Sequence, residues 1–545
     1  MKIPSDAVAR GNFFEDILQQ CLLTRDERKT FYNEMRRYYM HGCAWDGDPG
    51  TAVNKIYPHI DQLTSFMYAQ ETTKFAVTIP PSVSDAELDK VPSVNEALNN
   101  EWHDSNTDII FGTALTWSFV YGSMFLKTRW NGRQTETSVV EPHNFGVIRE
   151  DVPMLDRQEA FVHCYLTTQS ELERELTIAK HPRLNDILSH VVPNGALDTT
   201  KDLQVGNIVI SSVSPMIVGN WDVNLMQLTR YQPKVLTPLI QMYELYIYDN
   251  EAKDYIIVTM ADPSIVIYDR PIEKMLIKNE HPFTQVAPNP TPDYFWGYSE
   301  VERLIPLQTM RNKRLNQVRK MMDRQAQPPK SFSGFDAVSD EIANAFDTPD
   351  GVVISDNPQA KVDPYQPTIP EDLFAEIREM DTMFEETSGI NNVLSGRGEK
   401  GVRSEGHANQ LAKLGSSRAK KRALIVEDSL ERLASLDLKL MQKYSATKYK
   451  GDDGLLFVLD QFTKDFNVKV DAHSNSPIFM DEVEQKAFEL FKAKAIDREE
   501  LIDLIDIPMK QLLKKKLKTK IEPAEAKAAQ DEKILQLKHQ QGKKA

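Results

Sequence analysis

Apolar residues recur with helical spacing near the start of the chain and with strand spacing further along it. Residues 5–40, 51–71 and 93–121 predict three helices. After residue 121 the spacing changes to that of strands, and several apolar runs are bounded by turn residues. The predicted strands are Phe75–Ile79, Phe125–Trp130, Ser138–Val140, Phe161–Leu166, Leu239–Tyr248, Tyr255–Met260 and Ile265–Tyr268.

Local signals refine this β-rich region. The turn Asp249-Asn250 predicts a hairpin between the strand before it and a strand that begins at Asp254. Residues Thr168–Ile178 predict a short helix with Ser170 as its N-cap. The stretch His281–Asp293 is rich in proline and asparagine, so it predicts a connector.

The second half of the chain predicts two helices separated by a short insert. The first runs from about Glu300 to Gln325 and is ended by Pro328-Pro329, because proline lacks a backbone donor and disfavours helix in the residue before it. Residues 330–369 predict an insert with one strand, Val352–Ser355. The returning helix spans about Pro370–Ser388.

A very long helix is predicted at Ser404–Tyr444, after the glycine-rich residues 389–403. Its 41 residues contain no proline and would span about 60 Å at the usual helical rise. A hairpin around Gly451–Gly454 and helices at about 481–506 and 509–540 complete the predicted order.

The stretch Ile109–Leu126 contains eighteen residues without a charge, at the lower limit of membrane-spanning length. Its glycines and hydroxyl side chains favour a buried core element instead. The prediction is a helix to about Tyr121, a turn at Gly122-Ser123 and a strand from Met124.

Composition fits a globular protein, with 41% hydrophobic and 27% charged residues among 545. The three cysteines (Cys21, Cys43 and Cys164) are too few and too far apart for a disulfide framework or a zinc site, and they favour a reducing compartment. The N-terminal residues Met1–Pro4 do not begin an apolar signal-peptide core.

Positive charge is concentrated in three segments of an acidic chain. The net charge is -15, yet Arg303–Lys330 carries +7, and Ser395–Arg422 and Lys510–Lys520 carry +6 each. By subtraction, the remaining residues carry about -34. A distribution this uneven is typical of a protein that contacts a polyanion or a charged partner, although solvated helix faces give the same pattern.

Catalytic motifs are not found in the sequence. Gly396–Gly401 has the outer spacing of a phosphate-binding loop, but Val402-Arg403 stands where Lys-Ser/Thr is required. Asp452-Asp453 lies between glycines and predicts a turn. Aromatic residues precede the basic helix and are expected to anchor it in a core rather than to stack on nucleic acid: Tyr294, Phe295, Trp296 and Tyr298. The sequence predicts no enzyme, no cofactor and no metal site.

The order of these elements resembles the portal proteins of tailed bacteriophages. Each matching motif is short, and their order along the chain is the specific signal. The residues that carry the resemblance are Gly297-Tyr298-Ser299, Leu304–Gln308, Asn312, Gln325–Pro329, Gly351-Val352-Val353, Ser388-Gly389-Ile390, Gly396, Ser404, Ala408 and His163–Thr167.

The resemblance implies an α+β fold, mainly α, with the ring-forming portal architecture of wing, stem, clip and helical crown. The implied divisions are 1–296 wing, 297–327 first stem helix, 328–369 clip, 370–389 second stem helix, 390–403 tunnel loop, 404–478 wing long helix and β hairpin, and 479–545 crown.

The resemblance also implies a function without catalysis. A dodecameric ring at one capsid vertex would pass double-stranded DNA during packaging and ejection, without reading its sequence. Its implied partners are further copies of the chain, the large terminase, the major capsid and scaffolding proteins, and head–tail adaptor or tail proteins, with no membrane. The implied location is the virion, after assembly in the host bacterial cytoplasm.

Charged residues receive provisional roles on this layout. Arg397, Lys400 and Arg403 in the glycine-rich loop are expected to face DNA. Lys514, Lys515 and Lys516 are expected in the crown, where a solvated helix face is an equal alternative. The two stem helices have opposite charge, so ion pairs between subunits are expected, with DNA contact as the alternative. The residues of this stem prediction are Arg311, Arg314, Arg319, Arg324, Glu376, Glu379, Glu385 and Glu386.

Two rival functions stay open at this point. Another phage structural protein, such as a head–tail adaptor or a minor capsid protein, is one rival, but adaptors are usually much shorter. A DNA-processing nuclease is the other, and no motif in the sequence supplies its metal ligands.

Overall fold

The computed structural model is α+β and mainly α, which confirms the predicted fold class. It describes residues 1–42, 52–69, 73–191, 204–205, 208–209, 239–261, 265–326 apart from 275 and 277, 330–333, 357, 359, 361–364, 370–388, 417–470 apart from 452 and 453, and 487–501 apart from 494, 497, 499 and 500. The chain divides into two compact units. Unit 1 comprises Met1–Thr64, Ile110–Asn131 and Thr135–Ala419, and unit 2 comprises Ser65–Ile109, Gly132–Gln134 and Lys420–Ala545.

The helices and strands follow the chain in mixed order. The α-helices are α1 (Ala7–Glu27), α2 (Lys29–His41), α3 (Ile56–Met67), α4 (Asp85–Leu88), α5 (Val91–Asp104), α6 (Thr107–Tyr121), α7 (Gln169–Ile178), α8 (Leu184–His190), α9 (Glu300–Ala326), α10 (Glu371–Ser388) and α11 (Ser417–Tyr444). The strands are β1 (Phe75–Thr78), β2 (Met124–Trp130), β3 (Thr135–Val140), β4 (Phe145–Val147), β5 (Ala160–Thr168), β6 (Gln204–Val205), β7 (Ile208–Val209), β8 (Leu239–Asp249), β9 (Asp254–Ala261), β10 (Ile265–Pro271), β11 (Phe283–Val286), β12 (Lys330–Ser333), β13 (Lys361–Pro364), β14 (Lys448–Lys450), β15 (Leu456–Val458) and β16 (Asn467–Val470).

Unit 1 contains a five-stranded antiparallel sheet in the order β10-β9-β8-β5-β4. Strands β8 and β9 form the predicted hairpin, with Asp249 opposite Asp254. Helix α1 buries Leu18 and Cys21 in one core cluster with Val162 of β5. Helices α7 and α8 contribute to a second cluster that includes residues of β8, β9 and β10. The sheet is therefore lined by helices that bury its apolar side chains.

A stack of aromatic rings joins this sheet to the three-stranded sheet β11-β2-β3. The ring of Phe125 on β2 lies 4.0 Å from that of Phe145 on β4, and Phe145 stacks in turn on Phe161 of β5 at 5.5 Å. Phe295 stacks on Phe125 at 5.7 Å, and Trp296 is fully buried. The predicted core anchor just before the basic helix is confirmed for these two residues.

Two predicted helices are each broken by a single turn. The helix predicted over residues 5–40 forms as α1 and α2, separated by Arg28, whose guanidinium lies over the rings of Tyr32 and Trp296. The helix predicted over 93–121 forms as α5 and α6, because Asn106 takes a left-handed conformation with φ of 56°. Asparagine tolerates that conformation better than most residues.

The uncharged stretch that begins at Ile109 forms the predicted core element. Helix α6 ends at Tyr121, Gly122 turns the chain, and β2 begins at Met124. In the described part of the chain, no helix is long and apolar enough to cross a membrane.

Two smaller predictions were wrong. The N-cap of α7 is Thr168 rather than Ser170, since the Thr168 hydroxyl accepts a hydrogen bond from the Glu171 amide at 3.3 Å. The connector predicted from residue 281 contains strand β11, which pairs with β2. The short run Phe283–Val286 forms a strand because it covers an open edge of β2, which its composition does not reveal.

The second half of the chain confirms the predicted order where it is described. Helices α9 and α10 lie close to their predicted bounds, β14 and β15 form the hairpin around Gly451–Gly454, and β12 pairs with β13 in the insert. The described part of the long helix is α11. The strand predicted at Val352–Ser355 and the helix predicted at 509–540 lie outside the described residues.

Unit 2 contains a two-stranded antiparallel sheet of β1 and β16. The other edge of β1 is bonded by side chains of α5. Asn95 accepts from the Val77 amide at 2.8 Å, while Asn99 accepts from the Phe75 amide at 2.9 Å and donates to the Phe75 carbonyl at 3.0 Å. Two amides one helical turn apart thus take the place of a neighbouring strand.

Candidate functional site: the basic and acidic helix pair

Helices α9 and α10 form an antiparallel pair with opposite charge. Helix α9 carries seven basic and three acidic residues, whereas α10 carries seven acidic residues and one basic residue. The Nε of Arg311 donates to Oδ1 of Asp381 at 2.8 Å, and the Nε of Arg314 donates to Oε1 of Glu376 at 2.9 Å. The partner of Arg314 precedes the partner of Arg311 along α10, so the two helices run in opposite directions.

The beginning of α9 is fixed by a close crossing of two main-chain segments. Gly297 has φ of 67° and Gly122 has φ of 98°. A Cβ added at Gly122 would lie 2.7 Å from the carbonyl oxygen of Trp296, and one added at Gly297 would lie 3.0 Å from the oxygen of Gly122. Ser123 also donates to the Trp296 carbonyl. Only glycine meets both the backbone conformation and the spacing at these positions.

Two polar residues cap this start. The Ser299 hydroxyl donates to the Val120 carbonyl at 2.5 Å and accepts from the Glu302 amide at 3.3 Å. Glu300 is fully buried in the first turn of α9, where the helix dipole favours a negative charge. Its carboxylate accepts from Asn289 at 3.3 Å and lies 3.6 Å from the Arg303 guanidinium.

The first half of α9 is also hydrogen-bonded to the main chain of Gly42, Val53 and Lys55. Gln308 is fully buried and accepts from the Lys55 amide at 3.1 Å while donating to the Val53 carbonyl at 3.0 Å. Asn312, one turn later, donates to the Gly42 carbonyl at 2.7 Å. These two amides belong to the motif that carries the portal resemblance. Their spacing of four residues on an otherwise apolar face was the signal for this anchoring role, which sequence reasoning missed.

The ion pairs Arg311–Asp381 and Arg314–Glu376 differ in burial. Only 8% of the Arg311 side chain is exposed, and its partner Asp381 also lies 3.5 Å from the Lys55 ammonium. Arg314 and Glu376 are each one-third exposed, and Arg314 donates to Gln317 as well. Asp381 therefore balances two cations, of which Arg311 is almost fully buried, whereas both members of the second pair are one-third exposed and more strongly screened by solvent.

The predicted site residues fall into three groups. Arg311, Arg314 and Glu376 form ion pairs within one chain, so their predicted role between subunits stays a prediction beside these intrachain contacts. Arg324, Glu379 and Glu386 are exposed, and Arg319 and Glu385 are half-buried. Arg397, Lys400, Arg403, Lys514, Lys515 and Lys516 lie outside the described residues.

A second cluster of charges lies inside unit 1. The Lys127 ammonium lies 2.5 Å from Oε2 of Glu244, which also accepts from the Tyr246 hydroxyl at 3.0 Å and lies 3.8 Å from Nδ1 of His163. Burial opposes ionisation of Glu244, but Lys127 and His163 outweigh it and hold the pKa of this carboxyl well below its usual value. Burial and the adjacent Lys127 lower the pKa of His163. The cluster joins β2 to β5 and β8, which is a structural role.

Among the residues that the structure describes, no group of three or more His, Cys, Asp or Glu side chains could hold a metal ion. The charged groups of the helix pair instead provide positions for ion pairs and for contact with another charged surface.

Comparison with known proteins gives a match to a family model and matches to solved structures. Residues 232–471 match the family model described as "Phage SU10 portal protein", a range that includes both helices of the pair and the described part of the long helix. A solved structure described as "Virion of native gene transfer agent (GTA) particle" aligns with 88% of this chain and 93% of its own, at 11% identity and a TM-score of 0.40. No curated protein matches the chain. The family match confirms the resemblance predicted from the sequence: residues 232–471 of this chain match a portal protein family of phages.

Proposed function

We propose that this protein is the portal subunit of a tailed phage and forms a dodecameric ring at one vertex of the capsid. The observation that carries the proposal is the family match, because it includes the whole helix–insert–helix order. In this assignment α9 and α10 are the stem, residues 328–369 are the clip, residues 1–296 and 404–478 are the wing, and residues 479–545 are the crown.

The anchoring of α9 suits a stem. Its first half is bonded through Ser299, Gln308 and Asn312 to other elements of unit 1, while the Arg311–Asp381 pair ties it to the returning helix. A stem fixed at its root in this way holds the ring channel at a constant width while DNA moves through it. This rigidity supports the portal function over that of a short adaptor.

The residues proposed to meet DNA are Arg397, Lys400 and Arg403. A ring repeats each cation once per subunit, so three residues become belts of positive charge that contact phosphates without reading bases. The chain as a whole has a net charge of -15, and that surrounding negative charge limits adhesion of DNA. Charged contacts that are individually weak and evenly repeated allow the duplex to pass.

The remaining parts of the proposal concern partners. The clip would receive the large terminase during packaging and head-completion or tail proteins afterwards. The crown, with Lys514, Lys515 and Lys516, would face the capsid interior and scaffolding protein. Assembly would occur in the host cytoplasm, the mature location would be the virion, and the protein would carry out no catalysis.

Negative-stain electron microscopy of the purified full-length chain tests the ring. The expected result is closed rings with a central hole wide enough for a DNA duplex, and class averages that give the subunit number. A preparation that stays monomeric or forms open filaments at every concentration would refute the proposal. Digestion of DNA by the same preparation with Mg²⁺ would favour the nuclease alternative.

Replacement of Arg397, Lys400 and Arg403 together by alanine tests the DNA contact. Rings should still form, while the length of packaged DNA or the efficiency of ejection should fall. The DNA role of this loop is wrong if both are unchanged in particles assembled with the variant. Replacement of Lys514, Lys515 and Lys516 provides a variant of equal charge change in the crown.

A further inference from the structure

Helix α9 has an exposed line of cations that the intrachain ion pairs do not use. Lys313, Lys320 and Arg324 are all exposed, and at about 100° per residue they lie within about 40° of one another around the helix. In the described part of the chain, none of the three forms an ion pair. Arg311 and Arg314, which do pair, lie about 160° and 100° away from Lys313.

Helix α10 has a matching exposed line of carboxylates. Asp372, Glu379 and Glu386 are exposed and follow one another at intervals of seven residues, so they lie within about 40° around the helix. The buried residues Met380 and Phe384, by contrast, lie about 100° and 140° from Glu379. The acidic line therefore faces away from the apolar side of α10, as the basic line faces away from that of α9.

The basic line of α9 and the acidic line of α10 also agree in spacing and in position along the helix axes. Lys313 and Lys320 are seven residues apart, as are Asp372 and Glu379, which is about 10.5 Å along either helix. The pairs Arg311–Asp381 and Arg314–Glu376 fix the antiparallel register. That register places Lys313 within about one residue of the level of Glu379, and Lys320 within about one residue of the level of Asp372.

We propose that the basic line of one subunit pairs with the acidic line of the next, with Lys313 against Glu379 and Lys320 against Asp372. In a ring whose axis runs parallel to the helix pair, rotation from one subunit to the next keeps every residue at the same height along that axis. The register between α9 and α10 within one chain therefore also holds between neighbouring chains. Such a contact joins two different faces, and a contact of that type forms a ring when the rotation between neighbouring subunits closes. This inference rests on the proposed ring and assigns its stem contact to residues other than Arg311 and Arg314.

Charge reversal in the full-length protein tests the pairing. K320E and D372K each place like charges together in every interface of the ring, so each should raise the protein concentration for half-assembly about tenfold or more. The double variant K320E/D372K restores opposite charges and should assemble within about threefold of the wild type. The same pattern is expected for K313E, E379K and their combination. Assembly is measured by analytical ultracentrifugation and counted as rings by electron microscopy.

The controls separate this inference from the proposed function. K274E reverses an exposed lysine in another part of unit 1 and should leave assembly unchanged. If the wild type forms rings but K320E and D372K behave like K274E, the pairing is wrong and the portal function stands. If the double variants assemble no better than the single ones, the pairing is also wrong. If the wild type forms no ring, the proposed function itself fails.

The unfolding temperature and DNA binding of the variants test two other roles for the basic and acidic lines. Each variant should keep the unfolding temperature of the unassembled wild-type chain, because the altered side chains are exposed. A fall in that temperature with unchanged assembly would show that another part of the same chain covers the lines, and would overturn the proposal. Loss of DNA binding by K313E and K320E with unchanged assembly would overturn it in favour of a DNA-facing stem.

Discussion

Arg311 and Asp381 form a more enclosed ion pair between the two helices of the site than Arg314 and Glu376 do, with 2.8 Å between Nε and Oδ1. Asp381 also balances Lys55 at 3.5 Å, so its loss leaves two cations without their shared anion. Because Asp381 is one-third exposed, solvent screening reduces the cost below that of a fully buried pair.

The first prediction is an order of destabilisation for three substitutions in this pair of helices. D381N should lower the free energy of unfolding by about 2–3 kcal/mol, R311M by about 1–2 kcal/mol, and R314A by less than about 1 kcal/mol. Urea denaturation of the unassembled chain measures all three. An R314A variant as unstable as D381N would contradict the assignment of Arg311–Asp381 as the dominant contact.

The second prediction concerns the glycine crossing at the root of α9. G122A should lower the free energy of unfolding by about 2–4 kcal/mol, because φ is +98° and the added Cβ would lie 2.7 Å from the Trp296 oxygen. Gly132 has nearly the same φ of +97° and no atom within 4 Å of an added Cβ. G132A therefore isolates the backbone contribution and should cost about 1 kcal/mol. Equal effects of the two substitutions would show that the crossing is not close packed.

The third prediction is a loss of stability in mild acid that depends on His163. Burial lowers the pKa of this histidine from its ordinary value near 6.5, so the unfolded chain binds a proton that the folded chain does not. This proton uptake leaves the free energy of unfolding unchanged above pH 6.5 and lowers it as the pH falls below that value. Thermal unfolding between pH 5 and 7.5 should therefore show a smaller slope for H163Q than for the wild type. Substitution of the exposed His190 provides the control, and an equal reduction of the slope by both substitutions would contradict a specific role for His163.

Glu244 extends the same trend to lower pH. Its pKa is lowered below the ordinary value of 4.5, so the unfolded carboxyl takes up a proton first as the pH falls. The stability that Lys127 and His163 give to the ionised carboxylate is therefore present above pH 4.5 and is lost below it. An acid transition of E244Q that equals that of the wild type would contradict this role.

The fourth prediction concerns the edge of β1 in unit 2. N99A removes one acceptor and one donor for the Phe75 backbone, so it should cost about 1–3 kcal/mol and leave an open strand edge that favours aggregation. Asn100 follows on the same helix and is exposed. N100A should change neither the unfolding temperature nor the light scattering of the heated protein, and a similar effect of both substitutions would exclude a specific role for Asn99.

The order of elements could be predicted because it rests on local signals. Pro328-Pro329 ends the basic helix, Asp249-Asn250 turns a hairpin, and the apolar period defines α9, α10 and α11. Contacts between distant segments could not be predicted in this way. The pairing of β1 with β16 joins residues almost four hundred positions apart, and nothing in the run Asn467–Val470 specifies its partner.

The charges of the helix pair show the same limit. The opposite charge of the two helices was evident from composition. Which charges pair within the chain and which are exposed depends on which face of each helix is buried. Lys313 and Arg314 are neighbours in sequence, yet one is exposed and the other is bonded to Glu376. A single residue step rotates the side chain by about 100°, so charge counts alone cannot assign these roles.

The crossing of Gly122 and Gly297 has a mechanical consequence. Main-chain atoms meet there without side chains between them, and Ser123 and Ser299 each bridge the two segments through a hydroxyl. Such a joint has no rotamers that can yield under load, so a pull along α9 passes directly to the end of α6 and the start of β2. Under such a load we expect α9 to bend in its second half, beyond Asn312, where Lys313, Lys320 and Arg324 are exposed.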